Sequence, residues 1–285
     1  MKESVAEKAI KRLRPTGYEL VIVDAAQIEA RVLAWLADEE WILNAFREKR
    51  DVYCEFGPEV YGRIITKSDI EERFVLKTAI LGLGFGCGGL KFQKTLLVKS
   101  IEQGLEPIRF DVDLCYSIVN KYRTKCEIIK NFWKFVNDKF IAAMLTGCEL
   151  KYKCLRITKG KIHLPNGLAL LYPGLDANVV KQFNCETIQN ASYLSARSST
   201  KIYGGLLVEN LVQALARIIV ADVLREISRK YRVVLITHDE IVFVAPKKEA
   251  QEALVWAIEL MSKPPVWAPE LPLSAEGGHS VSYSK

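Results

Sequence analysis

The strongest constraint on this chain is a pair of β-forming runs near its two ends, each of which delivers an aspartate. Glu19 to Val23 (ELVIV) ends at Asp24, while Val233 to Thr237 (VVLIT) and Glu240 to Ala245 (EIVFVA) flank the polar tip His238-Asp239. The first run reads as strand, turn and helix, because Gln27 to Leu36 then carries apolar residues at helical spacing. The second reads as a hairpin that displays His238 and Asp239. If these are neighbouring strands of one sheet, the two aspartates meet at strand ends and everything between them forms an inserted lobe.

Composition allows such an architecture. The 285 residues are 49% hydrophobic and 26% charged, an ordinary globular balance with material for one elaborated domain or two smaller ones. Seven cysteines, an odd number without a C-x-x-C pair, argue against a disulfide framework or zinc site and predict reduced, mostly buried thiols. The uncharged apolar run between Lys77 and Lys91, 13 positions, falls short of the ~20 apolar residues a membrane helix needs. The N-terminal MKESVAEKAIKRLRP has no apolar core of the signal-peptide kind, so a cytoplasmic protein is expected.

Between the aspartates the pattern is mostly helical. Ser68-Asp-Ile-Glu71 has the spacing of a capping box, predicting a helix through Arg73, Lys77 and Leu81 that weakens at the glycines beyond. Val112 to Leu145 is helical again, and Pro165-Asn166-Gly167 predicts a β-hairpin with an Asn-Gly turn. Asn210 to Lys230 is amphipathic, with Leu211, Leu215, Ile218, Ile219 and Val223 on its apolar stripe. Repeats and low-complexity linkers are absent from the sequence.

Charge is concentrated. Val119 to Lys161 holds eleven Lys and Arg against Glu127, Asp138 and Glu149, a net +8 where the whole chain carries +6. Tyr122, Phe132, Trp133, Phe135, Phe140 and Tyr152 are interleaved with that charge. The mixture suits a phosphate backbone with unstacked bases, and equally suits solvated helix faces over an aromatic core.

Asp24 and Asp239 are the first candidates for chemistry. Paired carboxylates at strand ends suit Mg²⁺, which takes one or two carboxylates and leaves positions for substrate phosphates. Two such ions ~4 Å apart activate a hydroxyl and stabilise a leaving pyrophosphate. An aspartate in that position also serves as a turn or helix cap. Arg73, Lys77, Leu81 and Phe85, four apart, form a stripe that presents two cations and then two apolar groups. It is suited to a triphosphate at one end and a base at the other, or is the solvated face of a surface helix. Gly84, Gly86 and Gly89 match G-x-G-x-x-G formally, yet they follow a helix instead of opening one, which excludes a dinucleotide site. His163 and His279 have no partners at metal or triad spacing.

Taken in order, these pieces resemble a family. Asp24-Ala-Ala-Gln27-Ile-Glu29-Ala-Arg31 resembles the first catalytic motif of family A DNA polymerases, Arg73-x-x-x-Lys77-x-x-x-Leu81-x-x-x-Phe85-Gly86 resembles their fingers-helix motif, and His238-Asp239-Glu240 their third motif. Leu164-Pro-Asn-Gly167, Tyr203 to Ala214 and Trp267 to Leu273 are similar to phage members. The resemblance implies an α+β fold: an antiparallel palm sheet with helices, formed by residues 1–37 and 201–285, and mainly helical fingers formed by 38–200.

It also implies roles. Asp24, Asp239 and the Ala25 carbonyl would bind two Mg²⁺ ions, with Mn²⁺ as a possible substitute, and Glu240 would support them. Glu29 would exclude a ribose 2′-hydroxyl. Arg73 and Lys77 would hold the triphosphate of the incoming deoxynucleoside triphosphate, and Lys77 would protonate the leaving pyrophosphate. Leu81 would face the incoming sugar and base, and Phe85 would lie beside the templating base. Gln27, Arg31, Gln213 and His238 would touch primer-template DNA. The family usually carries an aromatic residue at Leu81, phage relatives carry basic residues at Leu168 and Leu206, and bacterial members carry Asn at Glu209.

Family A enzymes precede the first motif with a thumb and a proofreading exonuclease, and 23 residues precede Asp24. The expectation is therefore one half of a split phage polymerase in the bacterial host cytoplasm, with a second polypeptide carrying the thumb and possibly the 3′-5′ exonuclease. The basic stretch Lys8, Lys11, Arg12 and Arg14 resembles the segment immediately after the thumb. The alternative is a non-catalytic DNA-binding or assembly subunit that works only with a partner chain.

Overall fold

The computed structural model describes residues 13–182, 185–195 and 198–283; Lys8, Lys11, Arg12 and the side chain of Cys185 lie outside the described residues. The chain runs from β1 (Tyr18–Ala25) through α1 (Ile28–Ala37), α2 (Glu40–Arg47), α3 (Val52–Glu55), α4 (Gly57–Tyr61), α5 (Ile70–Leu83), α6 (Gly89–Glu102), α7 (Val112–Lys125), α8 (Glu127–Phe135), a π-helical turn at Val136–Phe140 and α9 (Ile141–Thr146). Short strands come next: β2 (Leu150–Tyr152), β3 (Leu155–Thr158), β4 (Lys161–His163), β5 (Ala169–Leu171), β6 (Asp176–Gln182), β7 (Cys185–Leu194) and β8 (Ser199–Lys201). The remainder is α10 (Gly204–Lys230), β9 (Arg232–Thr237), β10 (Glu240–Pro246), α11 (Ala250–Ser262) and β11 (Ala275–Ser280). This is a mixed fold of helices and antiparallel sheets, as expected.

The chain divides into two compact units, Met1–Ile28 with Ala214–Lys285, and Glu29–Gln213. The first is built on an antiparallel sheet in the order β11-β1-β10-β9, so the runs from the two ends of the chain lie side by side. Leu20 pairs with Val244 and Val23 with Ile241, and both central strands are buried along almost their whole length. A strand buried on both faces needs apolar residues at successive positions, which is why ELVIV and IVFVA are near-continuous runs. Leu20, Val242 and Val244 form a core cluster, flanked by Ile22, Val234, Leu235 and Tyr283. Helix α11 packs on β1 and β11. In β11 a Cβ on Gly277 would collide with the carbonyl of Ile22, so only glycine lets this edge strand approach.

The second unit holds α1 to α9, the sheets β2-β3-β4-β5 and β6-β7-β8, and the start of α10. Three local expectations are corrected here. The Ser68 capping box does not form: α5 begins at Ile70 with Asp69 as its N-cap. The Asp69 carboxylate accepts from the Thr66 amide at 2.8 Å and from Arg63 at 2.9 Å, and the Ser68 hydroxyl pairs with that of Thr66 at 2.7 Å. The turn before the helix thus takes the groups that a capping box would have used.

The Pro165-Asn166-Gly167 hairpin joins β4 to β5, but the Leu164 amide donates to the Leu168 carbonyl at 2.8 Å and closes a three-residue loop instead of a two-residue Asn-Gly turn. Gly167 N–H donates to the Leu164 carbonyl at 3.1 Å and Gly167 takes φ +85°, the αL position of a turn that ends in a bulge. Third, α10 starts at Gly204, not Asn210, and Val112 to Leu145 is several segments instead of one helix. The break falls at Cys126, and the Glu39 carboxylate accepts the Ile129 amide at 3.1 Å just beyond it.

The interleaved aromatics resolve largely as core. Phe132, Phe135, Phe140 and Tyr152 pack on one another with ring centroids 5.4 to 6.3 Å apart, and the Tyr152 hydroxyl donates to the Leu36 carbonyl at 2.6 Å. Several basic residues among them are paired, Lys125 with Glu59, Lys153 with Asp38 and Arg156 with Glu149. The six described cysteines are free thiols, but burial is less general than expected: Cys115 and Cys126 are buried, Cys148 is exposed, and Cys54, Cys87 and Cys154 are half-buried. No helix among the described residues is long and apolar enough to cross a membrane.

Candidate active site

In the first unit the sheet brings the two aspartates to one end of neighbouring strands. Asp24 stands opposite Glu240 in the β1–β10 register, and the Ala25 amide donates to the Asp239 carbonyl at 3.2 Å. Asp239 comes after His238 in the turn between β9 and β10, where His238 is exposed and takes φ +54°. Gln27, with φ +49°, occupies the turn between β1 and α1. Asp24 and Asp239 are half-buried, whereas Glu240 is 2% exposed.

Tyr283 completes this cluster and was invisible in the sequence, because nothing local links it to Glu240. Its hydroxyl donates to Glu240 Oε1 at 2.8 Å. Burial, with the hydrogen bond and charge of Glu240 and the charge of Asp24, pushes the phenol up to about 12. His279 is likewise partnered, its Nδ1 2.6 Å from Glu19 Oε2 and its Nε2 3.1 Å from Gln251 Oε1.

The described residues contain no group of three or more His, Cys, Asp and Glu arranged for a metal. Two carboxylates with the Ala25 carbonyl would make an all-oxygen donor set, a kind that suits Mg²⁺, which keeps waters and substrate oxygens in place of a full protein cage.

In the second unit Glu29 lies half-buried in the first turn of α1. Arg31 is 6% exposed, with its guanidinium 4.0 Å above the Phe46 ring, and burial lowers it to about 10. On α5, Arg73, Lys77 and Leu81 are half-buried. Arg73 Nε and Nη2 each lie 2.8 Å from Asp51 Oδ2, and Asp51 also caps α3 by accepting from the Tyr53 and Cys54 amides. Sequence reading missed this pair; the available signal was an N-cap residue ahead of a helical turn.

Phe85 lies beyond the end of α5, so the four-residue stripe is helical only as far as Leu81. The Gly84 carbonyl at that end accepts the indole N–H of Trp133 at 2.8 Å. A Cβ on Gly205 would come within 2.6 Å of the Phe85 carbonyl, so the glycine pair that opens α10 allows backbone to lie against backbone. Gln213 is exposed on α10.

Against known proteins, a family model described as DNA polymerase family A matches residues 4–145. A DNA polymerase of Bacillus phage SP02 is 30% identical, over 94% of this chain and 42% of the phage protein. The chain belongs to DNA polymerase family A. Among other family A relatives, the thermostable DNA polymerase I of Thermus thermophilus is 24% identical over 92% of this chain and 26% of its own length. The fold matches the polymerase domain of Pol1 from M. smegmatis, solved in complex with a DNA primer-template and dNTP, at a TM-score of 0.64 and 19% identity, covering 99% of this chain and 44% of that one. This family A chain therefore spans less than half the length of these relatives.

Proposed function

We propose that the chain carries the nucleotidyl-transfer centre of a DNA-directed DNA polymerase, joining a deoxynucleoside triphosphate to a primer 3′-hydroxyl under template direction. The observation that carries this reading is the juxtaposition of Asp24 and Asp239 at one end of β1 and β10, tied by the Ala25–Asp239 backbone bond. The palm is 1–37 with 201–285 and the fingers are 38–200.

Asp24, Asp239 and the Ala25 carbonyl would hold two Mg²⁺ ions, which supply Lewis-acid activation of the primer hydroxyl and neutralise the leaving pyrophosphate. On this reading the backbone bond between Ala25 and Asp239 would hold the two residues together before substrate arrives, so that little reorganisation is needed at the reaction step. Lys77 binds the triphosphate and gives a proton to the departing pyrophosphate, and Arg73 holds a phosphate by exchanging part of its bond to Asp51. Glu29 lies under the incoming sugar and excludes a 2′-hydroxyl. Leu81 and Phe85 provide apolar contact to the new base pair. Gln27, Gln213 and His238 contact primer-template DNA. Arg31, buried over Phe46, acts by holding α1 in place.

The comparisons lend no support to a second polypeptide. Primer extension by the purified chain tests the activity: template-dependent addition of deoxynucleotides that requires Mg²⁺ or Mn²⁺ supports the reading. Sequence-independent DNA binding without extension, with and without cell extract, would favour a non-catalytic subunit.

A further inference from the structure

The aromatic ring of Tyr283 packs against Leu20, Val242 and Val244, and its hydroxyl donates to the 2%-exposed Glu240, the residue that comes after Asp239 and stands opposite Asp24 in the sheet. We infer that Tyr283 is a positioning residue for the carboxylate site: by holding one oxygen of Glu240 it sets the rotation of that carboxylate and, through it, the end of β10 that presents Asp239. The inference rests on the metal-binding reading of Asp24 and Asp239.

The choice of partner matters chemically. A buried carboxylate needs a donor, and a Lys or Arg would supply one while cancelling a negative charge beside the site. A phenol supplies the hydrogen bond without itself bringing a positive charge to the site. Anchoring the ring in the core restricts it to one orientation, as the support of a rigid site requires. The contact also ties the last described segment of the chain to the catalytic strand end.

Tyr283→Phe removes only the hydroxyl. It is expected to fold like the parent, with unchanged circular dichroism and a melting temperature within a few degrees. Mn²⁺ binding by the free protein, read by electron paramagnetic resonance, should weaken by about tenfold. The Mg²⁺ concentration for half-maximal primer extension should rise by a similar factor, and the KM for dNTP should change less than about twofold. Adding Tyr283→Phe to Glu240→Gln should cause no further weakening of Mn²⁺ binding.

Parental Mn²⁺ binding by Tyr283→Phe overturns the inference, as does an equal further loss in the Glu240→Gln background. Asp24→Asn and Asp239→Asn measured in parallel separate the two levels. If they weaken Mn²⁺ binding and Tyr283→Phe does not, the positioning role alone fails; if neither weakens it, the carboxylate reading fails and the inference with it.

Discussion

The Ala25 amide donates to the Asp239 carbonyl across 3.2 Å, which sets the residue after one aspartate against the other aspartate, from the opposite end of the chain. Asp24 thus lies in β1 and Asp239 in the tight turn that leads into β10, and this backbone bond ties the turn to the strand. Asp24→Asn or Asp239→Asn should lower primer extension by more than about a hundredfold, because a neutral carboxamide holds a divalent cation far less tightly than a carboxylate does. Thermal melts should remain close to the parent, since both residues are half-buried and neither is in the core. Extension at the parental rate by either variant would remove the metal assignment.

Glu29→Ala should increase ribonucleotide incorporation relative to deoxyribonucleotide by about tenfold or more, since it opens space for a hydroxyl group. Parallel single-nucleotide extensions with each nucleotide measure this ratio. An unchanged ratio would end the proposed role of Glu29.

Asp51 serves Arg73 and the first turn of α3 together. Asp51→Ala should therefore destabilise the protein by about 1–3 kcal/mol, more than loss of an exposed ion pair would. Asp51→Asn keeps a cap while removing the charge and should cost less. Urea denaturation of both variants distinguishes the two contributions.

Trp133→Phe keeps an aromatic ring and removes the donor to the Gly84 carbonyl. A loss of about 1 kcal/mol is expected. Faster amide exchange in the glycine segment after α5, monitored by mass spectrometry, would show that the indole holds that end of the helix.

Glu39 supplies a pH dependence with a definite sign. Burial raises its pKa, and the amides of Ile129 and Ile128 offset this only in part. The folded protein thus holds this proton more tightly than the unfolded chain does. The resulting stabilisation is fully present below the ordinary glutamate pKa and is lost as pH rises through the raised one. Glu39→Gln lacks that loss, so its stability relative to the parent should improve in denaturant titrations as pH rises above the ordinary glutamate range.

The central strands and the polar hairpin tip were readable because a strand buried on both faces must be written as a continuous β-forming run. The long helix was readable because Leu211, Leu215, Ile218, Ile219 and Val223 had to share one buried stripe. Where polar groups chose among nearby partners, local pattern was a weaker guide. Ser68 matched a capping box, yet Asp69 occupies the N-cap position, and its carboxylate turns back to Thr66 and Arg63 instead of bonding the helix amides. Arg31 belonged to a catalytic motif by spacing, and its burial over Phe46 arises from neighbours that spacing does not specify.

The sequence by itself determined the central strands β1, β9 and β10, the order of the three motifs and the family to which they belong, because each depends on residues within a few positions of one another. Only the tertiary structure decided that Asp24 meets Asp239, that Arg73 is held by Asp51 and that Tyr283 reaches Glu240. Those contacts join residues distant in the chain, and their partners are selected by sheet register and core packing, which local periodicity does not encode.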